Sequence, residues 1–246
     1  MYPVSYRTEY VEQRSRLRVF FRWALAIPVM LAAALWVIVG LFTVVAAWFA
    51  LVFTAQYPPA LYEFNSNLLR TMARLTGYLL LQTDRFPPLG LNAPPDYPIQ
   101  VVIGPRQERY SRVKVFFRYL LAIPVAIVSG AFGYAYGAVA FGSWFVIVVL
   151  GRMPRGMHSA IDFLYGFSVR YYGYAYVLLT DRYPAFSDDP DPAELPPAQG
   201  IYAPPPGYQP YGQPAPGYPQ QGYPPPGYPP QQEPPPSPYG GPPPPN

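Results

Sequence analysis

The sequence predicts an all-α integral membrane protein built from two tandem helical units. Each unit opens with a short β-prone segment, and the chain ends in a disordered tail rich in proline, tyrosine and glycine. Three observations carry this prediction. The chain holds two long runs without any charge, 40 residues from Trp23 to Tyr62 and 33 from Tyr119 to Gly151. A series of short motifs occurs twice at a near-constant offset. Of the 37 prolines, 24 fall in the last 57 residues, from Pro190 onward. Charged residues are 12% and hydrophobic residues 51% of the 246 residues, about half the charge of a soluble domain. Mean hydropathy is nevertheless only +0.05, because that average sums an apolar body and a polar, nearly uncharged tail.

The repeat sets the boundaries. SRLRVFFRWALAIPV from Ser15 recurs as SRVKVFFRYLLAIPV from Ser111, Trp48-Phe49 recurs as Trp144-Phe145, and LLQTDRFPPL from Leu80 recurs as VLLTDRYPAF from Val177. YPV at Tyr2 matches YPI at Tyr97. The expected organisation is therefore unit one over 1–95, unit two over 96–189 and the tail over 190–246.

Within each unit the elements follow in order. PVSYRTEYV and PIQVVIG alternate in the manner of strands. A basic stretch follows, Arg14, Arg16, Arg18 and Arg22 in one unit and Arg109, Arg112, Lys114 and Arg118 in the other, suited to lying flat at a membrane surface. Pro28 and Pro124 stand inside the next apolar pattern, where proline kinks a helix or marks the change from interfacial segment to span. Each charge-free run exceeds the roughly 20 residues needed to cross hydrocarbon, and the first is too long for a secretory signal peptide. Trp23 and Trp48 lie 25 residues apart, roughly 37 Å along a helix, a spacing that suits opposite interfacial belts. Tyr119 and Trp144 repeat it.

QYPPA and GRMPRG read as turns, after which a second helix begins in each unit. LYEFNSNLLRTMARLTGYLLL has apolar residues at helical spacing, with Asn65, Asn67, Arg70 and Arg74 on other faces. MHSAIDFLYGFSVRYYGYAYVLL is more apolar. If each unit is a two-helix hairpin, twelve basic residues share the side of both termini and only Arg152 and Arg155 lie opposite. The positive-inside rule favours that topology, as does a parallel duplication, giving four membrane helices with both termini cytoplasmic in the cell membrane. Two spans with two interfacial helices is the alternative.

The repeated pattern, FFR-x3-AIP, then Trp-Phe, then TDR[FY]P, resembles a bacterial membrane family known as domain of unknown function 4389, common in actinobacteria and often found in tandem with a low-complexity tail. The resemblance covers about 1–187. It implies an integral membrane protein and brings no activity, substrate, cofactor or catalytic residue. Unit one departs from the pattern at QYPPALYEF, where a basic turn is usual, whereas unit two keeps GRMPRG.

Chemistry is sparse. There is no cysteine and one histidine, His158, which removes most routes to metal ligation and nucleophile-base catalysis. The sequence gives no reason to expect a cofactor or an enzyme. Net charge is +4, and 16 of the 17 basic residues are arginine. Their place beside apolar runs points to anionic lipid headgroups and away from nucleic acid.

Duplication supplies two Asp-Arg pairs, Asp84 with Arg85 and Asp181 with Arg182, as candidate lipid or partner contacts. Their structural reading is a helix exit closed by local turn bonds. Asp162 and Arg170 are further candidates, as an internal pair or as polar groups within the membrane. Gly130, Gly133 and Gly137 line one helical face, suited to packing of the two units or to a homo-oligomer. The tail repeats a GY-x-P element without Lys or Arg. It is expected to be disordered with polyproline II character and able to engage protein partners. Together these features suggest a non-enzymatic adaptor or organiser in the cytoplasmic membrane; the alternative is a small transporter, channel or lipid-handling protein.

Overall fold

A computed structural model describes residues 2–88, 90, 91, 94 and 96–186. The expected disordered tail, 190–246, lies outside the described residues. Each unit contributes one strand and three helices. Unit one gives β1 (Val4–Thr8), α1 (Arg16–Phe20), α2 (Arg22–Thr54) and α3 (Pro59–Leu79). Unit two gives β2 (Ile99–Ile103), α4 (Arg112–Phe116), α5 (Arg118–Leu150) and α6 (Arg155–Ala175).

Local chemistry sets these limits. Ser15 and Ser111 cap α1 and α4, their hydroxyls accepting from the Arg18 and Lys114 amides. The break between the short and the long helix of each unit falls at Phe21 and Phe117. Pro28 and Pro124 instead lie inside α2 and α5. The expectation that proline marks this change is thus corrected. Each long helix stops on a left-handed residue, Ala55 or Gly151, whose amide bonds back to Leu51 or Ile147. Pro59 then opens α3 at a first-turn position, where its missing N–H costs nothing.

The two units are related by rotation, not by translation. β1 pairs antiparallel with β2, Val4 facing Ile103, Tyr6 facing Val101 and Thr8 facing Ile99. Because Tyr2-Pro3-Val4 matches Tyr97-Pro98-Ile99, Tyr6 and Val101 are equivalent residues placed opposite each other. Partners across a ribbon point to the same face, so a pseudo-two-fold axis passes perpendicular to the ribbon at this pair.

The long helices obey the same axis. The Tyr110 amide donates to Ala55 O at 2.9 Å, bringing the end of α2 to the approach of α4. The Arg14 amide donates to Gly151 O at 2.9 Å, bringing the end of α5 to the approach of α1. Phe20 of α1 stacks on Trp144, and Phe116 of α4 meets Trp48 at 6.0 Å between centroids. α2 and α5 therefore run in opposite directions, where a parallel duplication would have aligned them.

α3 and α6 form the middle layer. α3 turns Asn65, Leu68 and Leu75 toward Thr43, Gly40 and Val29 of α2, and its Gly77 lies against Tyr6 and Ile99. Gly173 of α6 lies against Val4 and Leu69. Tyr2, Val4, Tyr6, Ile99, Val101 and Ile103 thus share a core with α3 and α6, whereas neither α2 nor α5 touches the ribbon.

α2 buries Arg22 and a narrow stripe of small and apolar residues, Ala26, Val29, Ala33, Gly40, Ala47 and Leu51. In the most apolar stretches of α2 and α5 only 17% and 11% of residues are buried. A core helix of a soluble protein would bury most of its length. Both helices are long and apolar enough to cross a membrane, and their apolar faces are uncovered.

Candidate functional site

Asp84 and Asp181 do not pair with the arginines that follow them. Asp84 Oδ1 accepts from Arg22 Nη2 at 2.7 Å, and Asp84 Oδ2 accepts from the Ser15 amide at 2.9 Å. Arg22 Nη1 also donates to Thr83 O at 2.9 Å and to Tyr78 O, and its guanidinium lies 4.5 Å from the Tyr78 ring centre. Unit two repeats this clamp: Arg118 donates to Asp181 Oδ1, Thr180 O and Tyr174 O, and Asp181 Oδ2 accepts from the Ser111 amide. Arg22 and Arg118 are 1% and 0% exposed.

The last arginine of FFR therefore ties the start of each long helix to the exit of the following one. A guanidinium serves here because its fork reaches a carboxylate and two carbonyls at once. The repeat made these arginines visible in the sequence, but nothing there indicated their partners some sixty residues away.

The other candidates separate. Arg85 points outward and pairs with exposed Asp96 at 2.7 Å. Arg182 is exposed, and its amide donates to Thr180 Oγ1 at 3.1 Å. Arg170 is buried, donates to Phe186 O at 3.3 Å and lies 6.0 Å from the Phe167 ring centre. Asp162 accepts from Thr8 Oγ1 at 2.8 Å. These contacts each join one of the six candidates to a residue outside the set. A methyl group placed on Gly130 or Gly137 would meet no neighbour within 4 Å, so packing between the units is not their role.

The sequence reading missed a partly buried polar cluster at the end of the body where α5 meets α1. Thr8 Oγ1 lies 2.9 Å from His158 Nε2 and 2.8 Å from Asp162 Oδ1. The one hydroxyl hydrogen serves Asp162 Oδ1 or Gln82 Oε1, the latter 3.2 Å away, and in either case His158 Nε2–H donates to Thr8. Gln82 Nε2 donates to His158 O at 3.2 Å. His158 is 5% exposed, and Tyr10 packs edge-on against its ring. Burial, reinforced by Arg14, pushes the imidazole pKa down to about 4, so the ring is neutral. The cluster has no counterpart across the axis: the equivalents of Thr8, His158 and Asp162 are Ile103, Tyr62 and Ser66, and Tyr62 donates instead to Gly104 O at 2.8 Å. Thr8 lies 150 residues from His158, and no spacing rule links them.

Beside the first clamp an open groove of about 480 Å³ separates the start of α2 from the second half of α5, walled by Phe20, Trp23, Leu80, Gly137, Phe141 and Trp144.

Two helical units related by a pseudo-two-fold axis, each closed by a buried arginine clamp, define a duplicated helical body with two helices long and apolar enough to cross a membrane. The chain belongs to the family described as domain of unknown function DUF4389, whose pattern matches twice, at 16–89 and at 112–188. Comparison with curated proteins and with solved structures finds no match.

Proposed function

We propose that this chain is a non-enzymatic organiser of the cytoplasmic membrane, its helical body held in lipid and its proline-rich tail, 190–246, recruiting protein partners at the cytoplasmic face. The observation that carries the reading is the uncovered apolar surface of α2 and α5 on a body whose conspicuous charged pairs serve internal closure. Exposed Arg16, Arg18, Arg112 and Lys114, beside exposed Leu17, Phe20, Val113 and Phe116, suit anionic headgroups at the acyl boundary. The open Gly130, Gly133 and Gly137 stripe leaves room for a second copy in the membrane.

The test compares the full chain with a variant lacking 190–246. Both are expected to remain in the membrane fraction after a high-salt wash, and only the full chain should co-purify partners. Release of the full chain by salt defeats the membrane reading. Unchanged partners without the tail defeat recruitment.

A second reading, a lipid-handling protein, draws on the apolar groove between α2 and α5, which has the volume and lining for an acyl chain. Phospholipid retained through purification, and lost on widening Gly137 to Phe, would favour it.

A further inference from the structure

A two-fold body can sit in a bilayer in two ways. With its axis in the membrane plane, the repeats are inverted, as in many transporters, and α2 and α5 cross in opposite directions. With its axis along the membrane normal, both repeats present the same face to the same leaflet.

The ribbon separates these placements. Tyr6 and Val101 lie on the axis, so an in-plane axis puts them at mid-depth. Arg7 and Gln100 are the next cross-strand pair, both partly exposed and about 3.4 Å along the strands. An in-plane axis would therefore carry the partly exposed Arg7 and Gln100 into the hydrocarbon centre, where an ionised side chain is costly against lipid. The chain leaving the ribbon is also charged and exposed, through Glu9 and Glu12 on one side and Arg106 and Glu108 on the other.

Helix length argues the same way. α2 and α5 have 33 residues each, about 50 Å. Fitting that length upright into a core about 30 Å thick takes a tilt near 50°, beyond the 0–40° found for spanning helices.

We propose, building on the membrane reading above, that the body lies flat in one leaflet with its pseudo-two-fold axis along the membrane normal. α2 and α5 lie within the acyl layer. α1 and α4, equivalent under the axis, rest at one headgroup level with Arg16, Arg18, Arg112 and Lys114 toward anionic phosphates. α3 and α6 roof the long helices, and the ribbon faces water with Arg7 and Gln100 outermost. This arrangement places all the charged ends on one side without any crossing.

The native chain has no cysteine, which makes the test direct. Ala60 and Gly156 are exposed and stand at opposite ends of the body, and Gln100 is on the outer face of the ribbon. Ala60→Cys, Gly156→Cys and Gln100→Cys are introduced singly into the full chain and treated with a membrane-impermeant maleimide in right-side-out and inside-out membrane vesicles. The flat placement gives all three the same sidedness. Opposite sidedness of the Ala60 and Gly156 positions establishes crossing helices and overturns the proposal. Ala60 and Gly156 on one side with Gln100 on the other overturns it in favour of parallel hairpins.

A second measurement does not depend on reagent access. Spin labels at Leu25→Cys, Val39→Cys and Phe53→Cys, all exposed along α2, should report equal depth in vesicles of phosphatidylethanolamine and phosphatidylglycerol. A crossing helix would sink the middle label about 15 Å below the outer two, half the core thickness, and that profile also overturns the proposal. Failure of the chain to float with these vesicles would instead defeat the membrane reading itself.

Discussion

Removing Arg22 tests whether the duplicated Asp-Arg motif closes the fold or contacts something outside it. Arg22→Met keeps the stem's bulk and deletes the guanidinium. Asp84, with its side chain 17% exposed, then loses its ion-pair partner, and the carbonyls of Tyr78 and Thr83 lose their donor. Breaking a buried pair by removing one partner costs about 3–5 kcal/mol. The lost charged hydrogen bonds at about 1.5–3 kcal/mol each overlap with that figure and are not added to it. For a body of this size each kcal/mol lowers the Tm by about 2–4 °C, so the drop should be roughly 6–20 °C.

Asp84→Ala should fall in the same range because it strands a buried guanidinium. The double variant should cost clearly less than the sum of the two single changes, with a coupling of about 2–3 kcal/mol. Thermal unfolding of the full chain in detergent micelles, followed by far-ultraviolet circular dichroism, reads all four corners of the cycle. Arg118→Met and Asp181→Ala form an independent second cycle. Arg85→Ala, which breaks only an exposed pair, is the control and should leave the Tm unchanged. Additive effects in both cycles, or an Arg85→Ala loss as large as that of Arg22→Met, would refute the clamp.

Two further outcomes follow from the middle layer. Gly77→Val puts side-chain atoms where a Cβ alone would already stand 2.4 Å from Tyr6 Oη and 2.7 Å from Ile99 Cδ1, so it should destabilise by about 1–3 kcal/mol and raise amide exchange in β1 and β2. Gly130→Val meets open space and should leave the monomer's stability intact; equal losses at both sites would contradict the packing described. His158 has its folded pKa lowered to about 4 from 6.5, so the native state binds fewer protons than the unfolded chain. Its contribution is full above pH 6.5 and is lost as pH falls from 6.5 toward 4, by at most about 3 kcal/mol. Asp162, Arg14 and Tyr10 surround the ring, and His158→Gln should flatten the stability profile across that interval.

Much of the fold was legible because hydrophobic patterning and repetition are local signals. The charge-free runs became α2 and α5, the alternating openings became β1 and β2, and the second helices formed where the 3.6-residue spacing placed them. The direction of the second unit was not legible. A sequence repeat states that two segments fold alike and is silent on the rotation that joins them, which here depends on the pairing of Tyr6 with Val101 and on Phe20 and Phe116 reaching the other unit's tryptophans. The clamps divide in the same way. Ser15, Arg22 and Asp84 each stood in a repeated motif, but only the antiparallel return of α3 along α2 makes them neighbours.

That return also places the polar side of the second helices inside the body. Asn65, Ser66, Thr71 and Arg74 are buried, as expected of a helix enclosed by protein, and their polarity does not require a lipid-facing or water-facing surface. Thr43 donates to Asn65 Oδ1 at 2.7 Å and Asn65 Nδ2 donates to Tyr57 Oη at 2.7 Å, so the Asn65 amide is satisfied by α2 and by the turn between the helices. Hydropathy alone reads such a helix as interfacial, and a positive-inside count reads it as a returning span. The packing gives it a third place, a layer between the long apolar helices and the strand ribbon.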